Sequence, residues 1–260
     1  MAKFHSVVGQ VNYKIEGDGH WLTLIHGVGA DLESWDGVVD ALRGDYRLLR
    51  YDLRGHGDSA KLPGPYSLDD FIDDLAGLLD HLEIAKTHLA GFSLGGIIAQ
   101  GFALAHPDRL DRLALVSAIA GRTEEERLKV LARAKALNQE GGSSFVSASV
   151  KRWFTDDFIA NNADLIEKRL ARGRTNDPDC YRAAYRVLAE SDLADELHKI
   201  TAPTLVMTGE FDIGSNPRMS RLMAERIPDS RLHIMAGLKH SVLIEAPDLV
   251  AAQIGALLAE

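Results

Sequence analysis

In Gly91-Phe92-Ser93-Leu94-Gly95-Gly96 a serine sits between glycines at the spacing G-x-S-x-G. The residues before it, Thr87 to Phe92, read as a strand, and those after it, Leu94 to Ala105, as a helix stopped by Pro107. A chain that passes from strand to helix at one residue strains the backbone there. Glycine at 91 and 95 leaves room across so sharp a turn. The hydroxyl is pushed out above a sheet, and the helix aims its positive end and unpaired N–H groups at whatever reacts there. That layout suits nucleophilic acyl transfer.

A serine hydroxyl attacks only when a base takes its proton. Of ten histidines, His240 is the best placed, in the loop Gly237-Leu238-Lys239-His240-Ser241 between the last strand and the terminal helix. His26 and His56 also lie on glycine-flanked loops, where each is better suited to bonding its own turn. A carboxylate should orient the base. Thr208-Gly209-Glu210-Phe211-Asp212 follows the penultimate strand and offers Asp212, favoured by its loop position, and Glu210. The order serine, acid, histidine then runs along the chain. Two N–H donors are needed for the oxyanion: Leu94, directly after the nucleophile, and Val28 in the turn His26-Gly27-Val28-Gly29.

The elements that must carry these residues alternate. Phe4 to Glu16 reads as a hairpin around Gly9, followed by strands at Trp21 to His26, Tyr46 to Tyr51, Thr87 to Phe92 and Leu110 to Val116. Helices at Ser34 to Leu42, Ser67 to Leu82 and Leu94 to Ala105 separate them, the second opened by Ser67, Asp69 and Asp70. Such alternation predicts an α/β fold with a mostly parallel sheet covered on both faces. From Gly121 to about Ile200 the alternation stops, leaving a helical, charged segment with turn signals at Gly141-Gly142 and Asp177-Pro178. Strands resume at Pro203 to Thr208 and Arg231 to Met235, with helices at Pro217 to Ile227 and Pro247 to Leu258. The expected organisation is a core of 1–120 and 201–260 with a helical lid at 121–200, inserted before the last strands.

Within that lid, Trp153, Phe154 and Phe158 either roof a pocket over Ser93 or pack the lid onto the core. Arg152 is a candidate for binding a substrate carboxylate. Arg122, Arg127, Lys129, Arg133 and Lys135 lie among Glu124, Glu125 and Glu126 and read as a solvated helix face.

Length and composition set the outer limits. With 260 residues, 46% hydrophobic and 26% charged, one core with an insert is expected. A net charge of −9 and a pI near 5.6 give no reason to expect nucleic acid or anionic membrane as partner. No apolar run is long enough to span a bilayer and the N-terminus has no secretory pattern, so a cytoplasmic protein is expected. Lone Cys180 has no intrachain disulfide partner and fits a reducing compartment. Nothing implies a metal or an organic cofactor.

The whole chain resembles the α/β-hydrolase superfamily. Val28-Gly29-Ala30-Asp31-Leu32-Glu33-Ser34-Trp35-Asp36 and Leu49-Arg50-Tyr51-Asp52-Leu53-Arg54-Gly55-His56-Gly57 resemble the 3-oxoadipate enol-lactonase and carboxylesterase branch. Gly64-Pro65-Tyr66-Ser67 adds to the likeness within the core, and Lys151-Arg152-Trp153-Phe154-Thr155 extends it into the insert. The resemblance implies a triad of Ser93, Asp212 and His240, oxyanion donors at Val28 and Leu94, and a small ester or lactone cleaved by water through an acyl-enzyme. The chain departs from that branch at His26, which belongs to a broader esterase pattern, and at Leu238 and Lys239 before His240. Amide or carbon–carbon hydrolysis by the same triad therefore stays open, as does a non-catalytic ligand-binding role. Haloalkane dehalogenation is disfavoured, since it needs an aspartate where Ser93 stands.

Overall fold

Alternate residues of the inner strands bury into different apolar cores, and that alternation explains the layers. The computed structural model describes residues 2–6, 9–140 and 149–260, so the turn expected at Gly141-Gly142 lies outside the described residues. Among the described residues eight strands form one sheet: β1 (Ala2–Ser6), β2 (Gly9–Glu16), β3 (His20–Ile25), β4 (Tyr46–Tyr51), β5 (Thr87–Phe92), β6 (Leu110–Val116), β7 (Thr204–Gly209) and β8 (Ser230–Met235). Their spatial order is β1-β2-β4-β3-β5-β6-β7-β8. β1 with β2 and β2 with β4 are antiparallel, and every other pairing is parallel.

In β6, Leu113 and Leu115 join one core while Ala114 and Val116 join the other; in β7, Val206 parts from Leu205 and Met207 in the same way. Helices Leu68–His81, Leu94–Ala105 and Pro217–Arg226 cover the first core, and Asp36–Leu42 and Pro247–Leu258 the second. The second helix starts where the sequence signals it. Ser67 caps Leu68–His81 in a reciprocal capping box with Asp70, and Phe71, Ile72, Leu75, Leu78 and Leu79 are buried at helical spacing.

The order of connection reverses at β3, whose neighbours are β4 on one side and β5 on the other. A sheet of this kind opens a crevice at the carboxyl ends of its strands at such a switch point. There the loop after β3 faces the turn after β5, with Ile25 and Gly91 as register partners.

Between β6 and β7 the chain makes a block of helices: Glu124–Glu140, a helical stretch at 149–153, Asp156–Asn161, Ala163–Arg174 and Pro178–Glu190, then the short turn Ala194–Lys199. Asp192 ties its root by accepting from Gly121 N at 2.8 Å and Arg122 N at 3.0 Å. Its far end is tied by Arg172, ion-paired with Asp31 and, at 3.4 Å, with Glu33. Among the described residues, no helix is long and apolar enough to cross a membrane.

Candidate active site

Ser93 holds φ +56° and ψ −113°, a left-handed conformation that costs a non-glycine residue about 1–3 kcal/mol and persists only where its surroundings fix it. Its N–H donates to Val116 O at 3.0 Å, and its carbonyl accepts from Gly96 N at 2.9 Å. A Cβ on Gly91 would lie 2.2 Å from Gly95 O, and one on Gly95 would lie 2.3 Å from Ile25 O. Both positions must be glycine for the turn to close.

His240 follows β8, and its Nδ1 lies 2.6 Å from Asp212 Oδ2. Asp212 is buried, and its Oδ1 accepts from Gly214 N and Ser215 N, each at 2.9 Å. Burial pushes this carboxyl up, but the charge and hydrogen bond of His240, with the two backbone N–H groups, outweigh it and hold it below the usual range. An ionised carboxylate there makes Nδ1 the donor and leaves the lone pair of the imidazole on Nε2. Glu210, the other acid expected nearby, is exposed and accepts from Gly237 N at 2.9 Å, so it closes a turn instead.

Ser93 and His240 line one cavity of about 530 Å³. No hydrogen bond joins them among the described residues, so any proton transfer between them would need the ring to close on the hydroxyl.

The two rival histidines are committed elsewhere. His26 Nδ1 donates to Gly27 O at 2.8 Å while its Nε2 accepts from Leu53 N at 3.0 Å, and burial lowers its pKa to about 4. His56 Nδ1 donates to Arg54 O at 3.0 Å, and burial brings it to about 3. His26 thereby braces the turn that carries Val28. That turn comes close to Ser93: a Cβ on Gly27 would lie 3.1 Å from Ser93 Cβ. Val28 lines the cavity, and Leu94 is the first residue of its helix, where N–H groups have no intrahelical acceptor.

Of the insert residues singled out in the sequence, Arg152 and Trp153 line the cavity. Phe154 does not; it is fully buried and stacks on Phe158 with ring centroids 5.4 Å apart. Aromatic packing of the insert accounts for it. The solvated face expected for Arg122 to Lys135 also needs correction. Arg122 and Arg133 are only partly exposed and line the cavity, and Arg122 donates to Leu188 O at 2.7 Å and Ser191 O at 3.1 Å. Arg127, Lys129 and Lys135 are exposed as expected of such a face, the first two paired with Glu124 at 3.2 Å and Glu125 at 2.6 Å.

Sequence reasoning missed Arg169. Its guanidinium lies over the Trp153 ring at 5.1 Å from the centroid and lines the same cavity. Among the described residues no carboxylate pairs with it, and its buried Nη1 has no hydrogen-bond partner. Arg169 falls three residues after Ile166 and four before Gly173, the buried residues of its helix, and so shares their inward face. Cys180 is buried and its thiol is pushed up by that burial, which makes it a poor nucleophile.

A family model described as alpha/beta hydrolase fold matches residues 20–247. The chain is 32% identical to the (E)-2-((N-methylformamido)methylene)succinate hydrolase of Acinetobacter baylyi, over 92% of this chain and 90% of that one. It is 29% identical to 3-oxoadipate enol-lactonase 2 of the same organism, over 91% and 88%. A putative carbamate hydrolase, RutD, from a Caulobacter species is 30% identical over 89% and 87%. The crystal structure of the enol-lactonase from Burkholderia xenovorans LB400 superposes over the whole of both chains with a TM-score of 0.94 at 29% identity.

Proposed function

This chain is a hydrolase of the alpha/beta hydrolase fold family, and from that premise we propose that it cleaves a small carboxylic ester or lactone through an acyl-enzyme on Ser93. The observation that carries the reading is the 2.6 Å contact of His240 Nδ1 with buried Asp212, opening into the cavity that Ser93 lines. As Ser93 Oγ bonds to the substrate carbonyl carbon, His240 Nε2 takes the hydroxyl proton and the carbonyl electrons move to oxygen. The N–H groups of Val28 and Leu94 receive that oxyanion, each such donor lowering the barrier by about 3 kcal/mol. Collapse breaks the bond to the leaving oxygen, which accepts the proton from His240. Water, deprotonated by the same ring, then releases the acid and restores Ser93. Asp212 holds the ring in the required tautomer and offsets its transient charge.

In this reading 121–200 is a lid over a core formed by 1–120 and 201–260, and no metal or organic cofactor takes part. Arg152, Arg169 and Trp153 face the part of the substrate that does not react. Arg169, half-buried with a buried Nη1 that has no partner among the described residues, favours a substrate that carries its own carboxylate. The names of two relatives, an (E)-2-((N-methylformamido)methylene)succinate hydrolase and a 3-oxoadipate enol-lactonase, are consistent with that. A second reading, cleavage of a C–N bond by the same residues, is favoured by the formamido group in the name of the first relative and by the carbamate hydrolase.

Intact-protein mass after treatment with a fluorophosphonate probe tests the mechanism. One adduct on the native chain and none on Ser93→Ala is the expected result, with turnover on a panel of short p-nitrophenyl esters, lactones and formamides ranking the two readings. An unlabelled native chain would overturn the serine mechanism and leave a binding role.

A further inference from the structure

A second cluster of chemically capable side chains lies at the opposite end of the sheet. His20 opens β3, His88 is the second residue of β5 and Asp111 the second of β6, three strands that are adjacent in space. All three residues therefore sit at amino ends, away from the crevice at the carboxyl ends. From their geometry we infer that His20, His88 and Asp111 form a binding site for a divalent transition-metal ion of the zinc type.

Four observations carry the inference. His20 Nε2 and Asp111 Oδ2 are already 2.7 Å apart, and the His20 and His88 rings have centroids 4.4 Å apart. One ligand atom from each of the three residues lies within 4.8 Å of the other two. Zinc holds its ligands at roughly 2.0–2.2 Å, so such atoms need only draw in by rotation of side chains. His20 can supply that rotation, since half of its side chain is exposed. Next, His88 is 7% exposed, and its buried Nδ1 has no hydrogen-bond partner among the described residues. A buried, unmet ring nitrogen calls for an explanation, and a cation beside it gives one.

The strand geometry points the same way. Thr87 pairs with Leu110 but Leu89 pairs with Leu113, so His88 alone lies opposite both Asp111 and Arg112. An extra residue in β6 makes a bulge, a device that re-aims side chains out of the regular ladder. Finally, the donor set discriminates. Two imidazoles and one carboxylate suit zinc, nickel or copper and are a poor match to calcium or magnesium, which require more oxygen ligands. The cations around the site set its limit. Lys86 Nζ lies 3.0 Å from Asp111 Oδ1, and Arg112 adds positive charge near His88. Lys86 engages Oδ1, which leaves Oδ2 for the ion.

Titration calorimetry with zinc chloride on the full chain, after treatment with a chelator, tests the site. We expect one saturable equivalent and a rise in melting temperature with zinc. His20→Asn, an exposed substitution outside the catalytic cavity, should keep ester turnover and weaken zinc binding by more than about tenfold. Cys180→Ser should bind as the native chain does. Cobalt in place of zinc should give visible absorption bands that vanish in His20→Asn. Absence of a saturable equivalent on the native chain, or equal affinity in His20→Asn, would overturn the site. An anomalous-scattering peak in a zinc-soaked crystal lying elsewhere would do the same.

Discussion

In the proposed mechanism the most chemistry turns on Asp212, which is buried and yet held ionised by two backbone donors and one imidazole. Asp212→Asn would present an amide N–H to Nδ1 and favour the wrong tautomer of His240. A fall in kcat/KM of about 10⁴-fold with the fold retained is expected on any ester that the native chain turns over. Glu210→Gln should cost less than a tenth of that loss, because Glu210 only closes a turn. The reverse ranking would reassign the acid. Two other residues shape acid stability. His26 and His56 stay neutral in the fold to about pH 4 and about pH 3, whereas an unfolded histidine takes a proton near 6.5. As pH falls through that window the unfolded chain binds protons that the folded one refuses. Stability is thus full above 6.5 and declines by up to about 1.4 kcal/mol per pH unit for each histidine. A urea midpoint unchanged between pH 7 and pH 5 would contradict this. The positions of Ser93, His240 and Asp212 were legible because each stands at a strand end in a glycine-bearing loop. Arg169 was not, because a single arginine on a charged helix reads as solvent-facing until Trp153, distant in sequence, is seen beneath it.

At the scale of elements, the helical block is held to the core by polar ties beside the turn that bears Val28. Arg172 pairs with Asp31 and Glu33, and Asn176 Nδ2 donates to Gly29 O at 3.1 Å. Arg172→Met should loosen the block over the cavity, raising KM several-fold while kcat changes little. The cost in stability should stay under about 1 kcal/mol, since the guanidinium is nearly half exposed. Steady-state kinetics alongside a melting curve would check both, and a fall in kcat at constant KM would mean that the tie serves the chemistry instead. The strand order could not be read from one-dimensional pattern, but the strands themselves, the hairpin and the capped helix Leu68–His81 could. The inner faces of the insert were illegible for a physical reason. Glu124–Glu140 carries charge on all sides, so no apolar stripe reveals which arginines turn inward.

Across the whole molecule, a chain of net charge −9 lines one cavity with Arg122, Arg133, Arg152 and Arg169, beside the acids Glu125, Glu126 and Asp212. Under the proposed reading an anionic substrate would be repelled by the surface and attracted by the guanidinium groups inside. Salt screens interactions in water more than those in a buried cavity, so the inner attraction survives at physiological ionic strength. Arg169→Met should therefore raise KM for a p-nitrophenyl ester with a free carboxylate by at least tenfold and leave the neutral acetate ester unchanged, with Arg169→Lys in between. Equal effects on both esters would remove Arg169 from recognition without touching the serine mechanism. The glycine-walled turn at Ser93 has a consequence for descent. Because Gly91 and Gly95 admit no side chain, any lineage that keeps the reaction inherits this turn unaltered, and its freedom to acquire new diets lies in the inserted helices. A library seeking a changed substrate should leave 91–95 alone and draw its diversity from 122–185.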